Sequence, residues 1–83
     1  MAQPSSSEIV ERANQAERVL SDLTMQKAFE GVRQHFLAAL EASQMGDRDT
    51  HHEIALSLQA LRSVRRLLEK WVADGQVERK RNG

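Results

Sequence analysis

The sequence predicts an all-α fold: an antiparallel helical hairpin with an additional N-terminal helix, three helices in all, assembled as a dimer. Three observations predict it. Apolar residues recur in steps of three and four through three separate stretches, the period that stacks side chains on one helix face. A short oxygen-bearing side chain, the commonest helix-starting signal, stands ahead of each stretch. β-branched residues never cluster, and the only proline is Pro4, before the first stretch.

The first helix is expected over residues 6–20. Ser5 and Glu8 have capping-box spacing, in which each side chain satisfies a backbone N–H of the other. Ile9, Ala13, Ala16, Leu20 and Leu23 then form one narrow stripe. Its alanines allow close approach to a neighbour but bury little area. Ser21-Asp22 interrupts the pattern, and both residues are good N-caps. The second helix is expected over 23–43, with Met25, Phe29, Val32, Phe36, Ala39 and Leu40 on one face and Gly31 pointing away.

Residues 44–49 read as a loop, with Gly46 suited to the left-handed position after a helix. Thr50 with Glu53 repeats the capping-box spacing and opens a third helix over 50–74, for which Gly75 is the stop signal. Residues 76–83 form a basic tail expected to fray. Helix three carries an apolar arc of about 200°, roughly twice what one neighbour can cover. It is therefore expected to be central and contacted from two sides. With the bend at Gly46-Asp47, Phe36 should meet Leu58, Val32 should meet Leu61 and Met25 should meet Leu68. Trp71 should cover the Ser21-Asp22-Leu23 turn.

The chain has 83 residues, enough for one domain spanning 1–83. Twelve basic residues balance twelve acidic ones, and cysteine is absent. A disulfide scaffold, a Cys-ligated zinc module and a thiol nucleophile are excluded. No apolar run approaches the ~20 residues that a bilayer span requires, and the opening MAQPSSSEIV lacks a signal-peptide pattern. The expectation is an intracellular or virion-associated protein, neither secreted nor membrane-bound. A small chain without disulfide or metal staples gains most from association with itself or with another protein.

Chemistry-bearing patterns are sparse. His51-His52-Glu53 lacks the i, i+3 or i, i+4 spacing that faces two histidines toward one metal ion; adjacent helical residues point about 100° apart. They read as surface residues of a first turn. No serine sits in a nucleophile elbow, the four glycines are scattered, and Asp47 and Asp49 lie in a polar loop. The reading is non-enzymatic, with no catalytic, cofactor or metal site.

Two surfaces are candidates for binding. The uncovered flank of helix three, Leu56, Ala60, Leu67 and Trp71, is the candidate partner or self-association interface. Arg65 joins it, because it projects into the apolar arc: either its stem packs while its head reaches water, or it finds a carboxylate such as Glu30, Asp22 or Glu17, within the chain or across a dimer. Arg62, Arg66, Lys70, Arg79, Lys80 and Arg81 form a basic strip that offers phosphate contacts, the alternative reading as a nucleic-acid-associated protein. Against it stand the zero net charge and the scarcity of aromatic residues for stacking.

Residues 20–77 carry a further pattern. Leu20-Ser21-Asp22 is followed by Met25, Ala28-Phe29 and Val32. After an acidic loop come Leu56, Ala60-Leu61, Val64-Arg65, Leu68-Glu69, Val72 and Gly75. This pattern resembles a family of short helical proteins encoded by tailed phages and prophages. The chain departs from it at His51-His52, where a basic–acidic pair is common, and at Ala55, where tryptophan is frequent. The resemblance implies a phage accessory protein, encoded near head-assembly genes, that acts by binding a host or phage protein.

Overall fold

The computed structural model describes residues 3–43 and 46–82. These form three helices and no strand: α1 (Ser6–Ser21), α2 (Leu23–Ala42) and α3 (Arg48–Asn82). At about 1.5 Å per residue, α3 alone accounts for the 55 Å length of the molecule. Both α1 and α2 pack on α3, which is the central element that its wide apolar arc implied.

Local chemistry sets the first two helices. Ser5 is extended, and its Oγ accepts from the Glu8 N–H at 3.2 Å. Asp22 is the single non-helical residue between α1 and α2 and serves both. Its N–H donates to the Val19 carbonyl at 3.3 Å, and its Oδ1 accepts from the Met25 N–H at 2.9 Å. Gln26 fastens the break by donating from Nε2 to the Leu20 carbonyl at 2.9 Å, satisfying one of the acceptors a helix end leaves free. Ser43 closes α2, its N–H donating to the Ala39 carbonyl and its Oγ to that of Leu40. The first two loop residues, Gln44 and Met45, lie outside the described residues, as does Gly83 of the tail.

Gly46 has φ +99° but does not follow directly on a helix end. It precedes the cap of α3, its carbonyl accepting from Arg48 N–H at 3.0 Å. That cap is Asp47, not Thr50. Asp47 Oδ1 accepts from the Thr50 N–H at 3.1 Å and Oδ2 from the Thr50 hydroxyl at 2.7 Å. The helix therefore begins two residues earlier than the Thr50–Glu53 spacing indicated. The two signals are alike in kind, and the carboxylate is the stronger acceptor.

The other end of α3 is a larger correction. The helix does not stop at Asp74; it runs through Gly75 and the expected tail to Asn82. Gly75 is buried, and its bare Cα lets α1 come close. A Cβ built there would fall under 3.0 Å from the Ala13 Cβ. Ala13 and Ala16 are almost fully buried at this seam. The contact offsets the roughly 1 kcal/mol that a mid-helix glycine costs. Beyond it, Ser6 Oγ donates to the buried Glu78 carboxylate and Arg79 donates to Asn14 Oδ1, so α1 holds the added turns in register. The basic run Arg79-Lys80-Arg81 also suits the negative end of the helix dipole.

Trp71 does not cover the Ser21-Asp22-Leu23 turn, whose three residues are exposed. It lies instead under the guanidinium of Arg12, 4.9 Å from the ring centroid. Between α2 and α3, Phe29 and Leu61 line a shared cleft, both half-buried. No residue of α2 is buried, and Ile54 is the large apolar side chain of α3 that is.

Candidate interaction surface

Helix α3 presents an uncovered apolar stripe. Leu56, Ala60, Val64 and Leu67 follow one another at steps of four, four and three, and all are exposed. At about 100° per residue they fall within one sector of roughly 80° on the helix. Leu56 is 50%, Val64 52% and Leu67 46% exposed, high values for large apolar side chains. Trp71 ends the stripe half-buried, because there α1 begins to cover the same sector and lays Arg12 over the ring. The stripe is open where α1 no longer reaches.

Of the residues expected in the interface, Leu56, Ala60 and Leu67 thus form one surface and Trp71 its border. Arg65 is elsewhere. Its carboxylate partner is Glu69, one turn along the same helix at 3.4 Å, and neither Glu30, Asp22 nor Glu17. Both side chains are more than half exposed, so this is a solvated surface pair of the kind worth about 0–1 kcal/mol. Glu30 instead accepts from Gln34 Nε2 at 2.8 Å and lies 3.5 Å from Arg33.

Two further residues belong to the surface. Val64 joins the stripe by spacing, four residues from Ala60, rather than the face that α2 covers. Arg12 is adjacent to the buried Ala13, which fixes it at the edge of the α1 seam. Its Nε is buried without a hydrogen-bond acceptor, and among the described residues no carboxylate lies within salt-bridge distance of it.

The basic strip is divided by the fold. Arg62 and Arg66 are exposed on one face, where they line a recess with Gln59 and Ser63. Lys70 is paired with Asp74 at 2.8 Å, Arg81 lies 3.9 Å from Glu78, and Arg79 is engaged by Asn14. Lys80 is exposed. Lys70, Arg79 and Arg81 thus each have a partner within the chain, and all three side chains stay exposed.

His51 is half-buried and His52 exposed at the start of α3, and among the described residues no group of three His, Cys, Asp or Glu side chains could hold a metal ion. Nearby Asp47 is held below its ordinary pKa of 3.8. The Thr50 hydroxyl and then the Thr50 N–H favour its charged form, with a smaller contribution from His51. Among the described residues no helix is long and apolar enough to cross a membrane.

The surface as a whole is larger than a compact chain would show. It measures 6698 Å², against about 5,000 Å² for a folded monomer of 9.4 kDa. The radius of gyration is 17.3 Å, where about 12 Å describes a compact chain of this length. Comparisons with family models, with curated proteins and with solved structures find no match.

Proposed function

We propose that this chain is a non-enzymatic helical interaction protein of phage or prophage origin. It works by protein–protein binding, as a virion-assembly accessory or a binder of a host or phage protein. In this reading α2 and α3 form an antiparallel hairpin, α1 folds onto its side, and two copies make a homodimer. The observation that carries it is the open apolar stripe Leu56, Ala60, Val64 and Leu67 on a helix whose other faces are packed or charged. Exposed apolar rows of this kind mark interaction sites. The chain's surplus surface of about 1,700 Å² exceeds the ~800 Å² per partner that a standard interface removes. The phage setting rests on the sequence resemblance over residues 20–77.

The competing reading, nucleic-acid association, draws support from the exposed Arg62 and Arg66 face and from Lys80. Sedimentation equilibrium from low to high micromolar, paired with a DNA titration across salt, separates the two. The interaction reading expects a mass of twice the chain and no salt-dependent DNA binding. A monomer throughout, together with DNA affinity that falls steeply on a log–log salt plot, would move the function to nucleic acid.

A further inference from the structure

Resting on the dimer reading, we infer that the stripe on α3 pairs with the same stripe of a second copy running in the opposite direction, with the two-fold axis near residue 62 and Glu53 of each chain facing Arg12 of the other. The stripe is complementary to its own reversal. About a point near residue 62, Leu56 falls opposite Leu67, and the small Ala60 falls opposite Val64. Bulky residues then meet at the two ends, and the middle alternates small against branched, which lets two helices approach closely. The same reversal sets Glu53 opposite Trp71. By helical spacing Glu53 lies in the same 80° sector, and it is exposed.

Charge chooses the direction. At Trp71 each protomer presents Arg12, a guanidinium over an indole with no salt bridge of its own among the described residues, the nearby Asp74 and Glu78 being engaged by Lys70 and Ser6. An antiparallel partner brings Glu53 to that place at both ends of the interface. A parallel partner would set Glu53 against Glu53 and Ala60 against Ala60, pairing like charges and leaving a gap. The fold also limits the length of the contact. From Trp71 onward α1 occupies the sector, so the paired stripe ends where Arg12 begins, and α1 becomes the wall that the first turn of the partner's α3, ahead of its Glu53, abuts. The symmetry is isologous, which closes the assembly at two copies.

The chain has no cysteine, so introduced thiols report register on a clean background. Isotopically heavy L56C is mixed with light L67C, oxidised under mild conditions and weighed. The antiparallel register expects the mixed-mass disulfide dimer to dominate. Two thiols both introduced at position 56 would lie about 16 Å apart along the helix, beyond disulfide reach. A second arm measures dimer dissociation for E53K and R12E, each expected to weaken it about tenfold, and for the reversed pair R12E/E53K, expected to recover most of that loss. Circular dichroism at high concentration confirms that each variant keeps its helices. Light–light and heavy–heavy disulfides in place of mixed ones would overturn the antiparallel register while leaving the dimer standing. A wild-type chain that sediments as a monomer would overturn the dimer itself. Additive losses in the double variant would remove the Glu53–Arg12 pairing.

Discussion

Substituting Gly75→Ala tests how α1 is docked, because two large effects act in opposite directions. In a free helix the change gains about 1 kcal/mol, since glycine is the poorer helix former. Here the new Cβ would lie under 3.0 Å from the Ala13 Cβ, and the obstacle is not the far end of a flexible side chain. The seam must open, at an overpacking cost of about 3 kcal/mol. That opening also loosens Ala16, the Arg12–Trp71 stack and the Ser6–Glu78 bond. The expected net loss is about 2 kcal/mol, or roughly 8–16 °C in melting temperature for a chain of this size. Thermal unfolding followed by circular dichroism at one fixed protein concentration measures it, the concentration being held because association shifts the midpoint.

Two companion variants sharpen the result. Gly31 has nothing within 4 Å of where its Cβ would be, so Gly31→Ala should show the propensity gain alone, about 1 kcal/mol. The exchange Ala13→Gly with Gly75→Ala leaves the new methyl 3.7 Å from the residue 13 Cα and 3.8 Å from the Ile9 carbonyl oxygen, both ordinary contacts. The pair should therefore be less damaging than the sum of its parts by about 2 kcal/mol, within the range seen for residues in contact. If Gly75→Ala raises the melting temperature as Gly31→Ala does, the close-packed seam is refuted.

Three further outcomes are expected. Asp22→Ala should cost about 1 kcal/mol in urea unfolding, because the Met25 N–H loses its acceptor; no change would mean that α2 is held by packing alone. The Asp47 carboxyl, lowered by Thr50, should titrate below 3.8 by NMR. Its stabilising cap is complete above that value and lost as pH falls through the lower folded pKa. Thr50→Val should move the titration back up, and a wild-type midpoint at or above 3.8 would contradict the cap. Arg65→Met should alter stability by no more than about 0.5 kcal/mol, since its pairing with Glu69 is solvated; a loss above about 2 kcal/mol would show that the guanidinium has a buried partner.

What is legible in the sequence follows the range of the forces involved. The Ser5 and Asp22 caps are legible because each acts on backbone three residues away. The start of α3 is less so, because Asp47-x-x-Thr50 and Thr50-x-x-Glu53 are overlapping patterns of the same kind, separated only by the stronger acceptor at Asp47. Gly75 shows the opposite limit. Read locally it ends a helix, yet a contact with a residue 62 positions earlier makes it an interior residue. The middle of the α1 stripe, Ala13 and Ala16, has no large knob to specify a register, so the pairing of Arg12 with Trp71 cannot be read from it. On the candidate surface, the width of the α3 arc suffices for Leu56, Ala60 and Leu67. Val64 escapes it because the arc's width does not say how much of it α2 covers.

The seam between α1 and α3 has a consequence for the order in which the protein can acquire its structure. Ser6 bonds to a residue 72 positions later, and Asn14 to one 65 positions later. On a ribosome, α1 emerges well before the segment it packs on. Until Gly75, Glu78 and Arg79 have been made, its alanine face has nothing to close upon, and the joining of the two segments carries the loop-closure entropy of all the chain between them. Docking of α1 therefore waits until the C-terminal turns of α3 have left the ribosome. A nascent chain stalled before residue 75 would display an undocked α1 to chaperones and proteases.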